Sequence, residues 1–155
     1  MAITTSGLYV STFIDALDST QALNLDLETH KIALFDTVTP NFSTDTAYGV
    51  APYDANEITG TNWASGGVAL TSTAVSDESG SLTWDAADVS ETSTTIATDP
   101  EGGLIYDDAA TTPTANTAIA MIYFGVGDFT TSNGTFAITW TAPGSGGIFA
   151  IDLTP

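Results

Sequence analysis

Cysteine and arginine are absent from this sequence, and Lys31 and His30 are its sole lysine and histidine. Without cysteine there is no disulfide framework, no thiolate metal site and no thiol nucleophile. With a single cation there is no basic surface to grip phosphates, which excludes nucleic acid as a partner and disfavours anionic membranes and phosphorylated substrates. No stretch approaches the ~20 apolar residues of a membrane helix. The first residues lack the basic and apolar regions of a signal peptide, so no export signal is expected.

What remains is acidic and apolar together. Nineteen Asp and Glu give a net charge of -18, while 43% of the 155 residues are apolar and 10% aromatic. High acidity alone suggests disorder, but that apolar content argues for a packed core. A chain this long buries roughly 70% of its unfolded surface and fits one domain, residues 1–155. The 28 threonines suit strands and turns better than helix.

The apolar spacing of Tyr9, Phe13, Ala16 and Leu17 predicts a helix over 6–17 with Ser6 as N-cap. Its competitor is an extended N-terminal arm within residues 1–18. Leu23, Leu25 and Leu27 alternate like a strand, then Glu28-Thr29-His30 reads as a turn before a short apolar strand at 31–35. Residues 39–67 carry Pro40, Gly49, Pro52, Gly60, Gly66 and Gly67, yet also Phe42, Tyr48, Tyr53, Ile58 and Trp63. So many anchors predict an ordered excursion packed on the body. Further strands are expected at 68–75, 81–84, 93–97, 103–106, 118–126, 135–140 and 148–153, with Ser132-Asn133-Gly134 as a tight hairpin turn. The fold class expected is mainly β, an antiparallel sandwich or barrel-like domain with one short N-terminal helix or arm.

The catalytic inventory is thin. A Ser-His-Asp triad must use His30, placed by its neighbours in a surface turn. A glycosidase would need two facing carboxylates, drawn from Glu57, Asp85, Asp88 and Glu101 beside Trp63 and Trp84, although acids in turns serve local hydrogen bonds more often. Asp54, Asn56 and Glu57, or Asp107 and Asp108, offer oxygen ligands for calcium without the spacing of a calcium loop. No catalytic, cofactor or metal site is therefore expected, beyond loosely held divalent cations. Lys31 is expected to pair with a carboxylate. Trp84 and Trp140 read as core, while Tyr48, Tyr53 and Trp63 read equally as core or as interface.

One succession of motifs is more specific. It runs through Lys31-Ile32-Ala33-Leu34-Phe35, Thr39-Pro40-Asn41-Phe42, Asn56-Glu57 and Gly60, then Trp63, Gly66-Gly67 and Leu70. It continues with Leu82, Trp84-Asp85-Ala86, Asp88-Val89, Gly102-Gly103, Tyr106 and Phe124, and closes with Asn133-Gly134-Thr135-Phe136, Trp140 and Gly147-Ile148-Phe149. Over about residues 8–153 the chain resembles a family of small β-rich virion structural proteins of tailed bacteriophages. The resemblance implies a non-enzymatic, multi-copy component: a capsid decoration (cement) protein on the major capsid protein lattice, assembled in the host cytoplasm and, by analogy, a homotrimer. A minor tail or tail-fibre-associated protein with a carbohydrate-binding role is the alternative, and a glycosidase the remote one. On the decoration reading, partner contacts are expected from Ile3, Leu8, Tyr9, Phe13, Phe42, Tyr48, Tyr53 and Trp63.

Overall fold

The computed structural model describes residues 3–154. In chain order the elements are β1 (Gly7–Leu8), α1 (Val10–Leu17), β2 (His30–Phe35), β3 (Glu57–Ile58), β4 (Val68–Ala69), β5 (Ala74–Glu78), β6 (Ser81–Asp85), β7 (Val89–Ile96), β8 (Gly102–Asp107), β9 (Thr117–Tyr123), β10 (Thr131–Ile138) and β11 (Phe149–Asp152). The fold is mainly β and sandwich-like. Among the described residues no helix is long and apolar enough to cross a membrane.

The main sheet has the order β1-β9-β8-β2-β3, with β4 also paired to β2. Its strands are antiparallel, so alternate side chains face opposite sides. On β2, Ile32 and Leu34 enter one core while Ala33 and Phe35 enter a second. On β8, Ile105 faces the first core and Leu104 and Tyr106 the second. Near-continuous apolar runs on β2, β8 and β9 are what a sheet covered on both faces requires. A bulge between Ile105 and Tyr106 of β8 leaves Ile119 of β9 without a register partner, and Ile119 and Ala120 both reach the first core.

Two smaller sheets, β10-β7 and β11-β6-β5, supply the opposite wall of the first core through Trp84, Val89, Ile96, Phe136 and Ile138. The second core is closed by Ile3, Tyr9, Val38 and Tyr53, so residues 39–67 pack on the body. Gly67 lets that excursion touch β2: its φ is +71°, and a Cβ there would lie 1.9 Å from the Ile32 carbonyl oxygen. Only glycine combines that conformation with that approach.

Several expectations change. The helix begins at Val10, not Ser6, because Gly7 and Leu8 pair with Met121 and Ala120. Ser6 Oγ instead accepts the Tyr123 N–H at 2.9 Å. Leu23, Leu25 and Leu27 form no strand; Asn24 Oδ1 accepts the N–H groups of Asp26 and Leu27 at 3.1 Å each, folding the segment into a turn. That local bonding outcompetes a ladder. Ser132-Asn133-Gly134 lies inside β10 as an irregularity against β7, not in a hairpin turn. Asn133 does take a positive φ, 49°, which a bulge accommodates as well as a hairpin does.

Candidate functional site

The structure takes four of the eight expected contact residues out of reach of a partner. Ile3, Tyr9, Tyr53 and Trp63 are buried within the chain itself. Leu8, Phe13, Phe42 and Tyr48 are half-buried. The tyrosines fasten the excursion: Tyr53 donates to Asp45 Oδ2 at 3.0 Å, which leaves Tyr9 to donate to the Tyr53 hydroxyl. Tyr48 stacks on Tyr106 with centroids 4.5 Å apart, and its hydroxyl donates to Glu57 Oε2 at 2.9 Å. Trp63 packs edge-on against Phe136, and the neighbouring Thr61 bridges to Thr95 of β7. Aromatic residues in a long loop are needed here simply to hold it down.

One stretch of uncovered apolar surface lies on α1. α1 turns Thr12 inward, its hydroxyl donating to the Ala118 carbonyl, and lays Phe13 edge-on against Phe149. Its other side exposes Val10 (50%), Ile14 (56%) and Leu17 (87%). These positions, i, i+4 and i+7, form one stripe. On the sequence, Leu17 belongs to the apolar face of the helix, while Val10 and Ile14 count only as strand formers favouring the extended arm. The available signal was that α1 is apolar on both sides, which a half-buried helix does not need.

Of the four acids singled out for glycosidase chemistry, Glu57, Asp88 and Glu101 are engaged elsewhere, while Asp85 Oδ1 is buried without a hydrogen-bond partner among the described residues. Glu101 Oε2 accepts the Ile3 and Thr37 N–H groups, and Asp88 Oδ1 that of Trp140. Glu57 binds Tyr48, Ser65 and the Gly66 N–H. Asp85 sits half-buried at the end of β6. Trp63 and Trp84 are fully buried, so neither offers a face on which a sugar could stack. Asp54 and Asn56 are exposed. Lys31 pairs with Asp108 at 2.8 Å, both partly exposed, an arrangement contributing about 0–1 kcal/mol.

His30 is the largest departure. It is not in a surface turn but at the start of β2, fully buried, in register opposite Asp107 of β8. Directly paired residues share a face, and here it is the face of the first core, where His30 lies edge-on to Trp84 with centroids 5.2 Å apart. Trp84 Nε1 donates to the Leu25 carbonyl at 2.8 Å, drawing the 24–28 turn over the same spot. That turn delivers Glu28. One donor atom each of Glu28, His30 and Asp107 lies within 4.8 Å of the others. Asp107 is the one acid of the nineteen that is buried. Burial, with the Glu28 carboxylate adding to it, pushes the Asp107 carboxyl up to about 6, while burial holds His30 below its usual value. A neutral imidazole beside two carboxyls can ligate a metal ion or share protons.

No family model matches the chain, and no curated protein or solved structure matches it.

Proposed function

We propose that this chain is a non-enzymatic structural protein of a bacteriophage virion, a capsid decoration protein that docks on the major capsid protein lattice through α1. The supporting observation is the open stripe Val10, Ile14 and Leu17. A helix apolar on both sides belongs between two surfaces, and within this chain it has one. Fully covering a Val, Ile or Leu side chain contributes about 1.5–3 kcal/mol, so three in one stripe make a useful anchor. Charge selects what covers it. A net charge of -18 opposes close approach of a second copy and favours a neutral or basic shell surface. Copies arranged as a trimer at a lattice threefold would then meet through uncharged surface.

Two measurements test this. Imaging of virions with the protein located by labelled antibody should show many copies over the head; a few copies at the tail would move the assignment to a tail component. In a sedimentation assay with undecorated capsids, the double variant I14D/L17D should lose more than about tenfold in binding, as the loss of buried anchors does. Its circular dichroism should stay unchanged and its Tm should fall by no more than about 5 °C, the cost of two aspartates on an exposed helix face. Stoichiometric decoration by the double variant would overturn the role of α1.

A further inference from the structure

We propose that Glu28, His30 and Asp107 form a binding site for a first-row divalent transition-metal ion, with Zn²⁺ as its reference occupant. The site is independent of the docking role. Both ring nitrogens of His30 lack a hydrogen-bond partner among the described residues, Asp107 Oδ2 has none but the Glu28 carboxyl beside it, and His30 and Asp107 are 0% exposed. Buried polar atoms are nearly always satisfied, and each orphan costs about 1–3 kcal/mol. An ion held by one ring nitrogen of His30 and by Asp107 Oδ2 would engage both residues of this pair, which face each other across β2 and β8.

The occupant's chemistry follows from the donors. Two carboxylates bring two negative charges to an apolar face walled by Trp84; a divalent cation cancels both, whereas a water molecule cancels neither. The chain's one lysine is committed to Asp108. An imidazole nitrogen among the ligands selects a transition ion over calcium or magnesium, which prefer oxygen alone. Donors around a tetrahedral ion with bonds near 2.1 Å sit about 3.4 Å apart. The present separations, within 4.8 Å, therefore close by at most about 1.4 Å, for Glu28 by rotation of its side chain and between His30 and Asp107 by small turns of both side chains.

The supporting hydrogen bonds suit ligation. Asp107 Oδ1 accepts the N–H groups of Ala109 and Ala110 at 2.8 and 3.1 Å, which orients the carboxylate and leaves Oδ2 free. Glu28 Oε2 accepts the Asn24 N–H at 2.6 Å. Such outer contacts fix ligand geometry in metal sites. A groove lined in part by Gln21, Leu23, Asn24 and Glu28 borders the Glu28 side of the site.

The experiment exploits the single histidine, whose imidazole resonances need no assignment. The full chain, stripped with chelator, is titrated with ZnCl₂ while imidazole nitrogen shifts and Tm are followed. One equivalent should move one ring nitrogen to saturation and raise Tm, and an equal concentration of Ca²⁺ should leave the imidazole unmoved. Glu28→Gln, at the half-buried edge where folding is not at stake, should weaken Zn²⁺ binding by about tenfold or more; Asp107→Asn should weaken it further. An imidazole untouched by excess Zn²⁺, equal affinity of wild type and E28Q, or the same response to Ca²⁺ would each overturn the site. Binding to surface carboxylates alone would show as the first of these.

Discussion

At Gly67 a single hydrogen atom in place of a methyl group decides whether the excursion can lie on the sheet. Gly67→Ala adds a Cβ at positive φ and drives it into the Ile32 carbonyl. The left-handed conformation costs an L residue about 1–2 kcal/mol, and overpacking adds about 1–3. The variant should lose about 2–5 kcal/mol in chemical denaturation; wild-type stability would show that the excursion is not pressed on β2. Glycine at this position was legible as punctuation, but not as a contact, because its neighbour Ile32 is 35 residues away. His30 was misread for the same reason. Its local sequence, Glu-Thr-His-Lys, is that of an exposed turn, and what buries it is the register with Asp107, a residue 77 positions later.

At the scale of elements, strands with unbroken apolar runs were readable and those defined by partners were not. β2, β8 and β9 fall close to their expected bounds because a strand buried on both faces has few polar positions to confuse it. The 23–27 segment shows the converse: three alternating leucines look like a strand, yet Leu27 is 82% exposed and Asn24 turns the chain. The candidate contact residues divided along the same line. Anchoring aromatics were recognised within 39–67, but whether an aromatic anchors its own loop or a partner depends on the packing of that loop. Here Tyr9 and Tyr53 anchor it, together with Tyr106 on β8, whose hydroxyl donates to the Gly66 carbonyl. Burial raises all three phenols well above their ordinary value. Above about pH 10 the unfolded chain releases these protons while the folded chain retains them, so stability falls as pH rises. Tyrosinate absorbance from Tyr9, Tyr53 and Tyr106 should therefore appear together with loss of circular dichroism. Ionisation of all five before unfolding would contradict the packing of the excursion.

Across the whole molecule the charge is nearly one-signed: nineteen acids, of which all but Asp107 reach the surface at least in part, and one lysine. Self-repulsion of this kind works against the compact state. Screening shortens from ~30 Å at 0.01 M salt to ~8 Å at 0.15 M. Raising salt over that range should stabilise the fold by on the order of 1 kcal/mol, about 3 °C in Tm; a Tm indifferent to salt would mean that the acids are too dispersed to matter. The main sheet gives the molecule its resistance to that repulsion. Because β2 and β8 send alternate side chains into both cores, the two cores stand on a common wall. Peeling away either cover, the small sheets on one side or the aromatic-pinned excursion on the other, would wet the same strands from behind. The two covers should therefore melt together, in one cooperative transition rather than two.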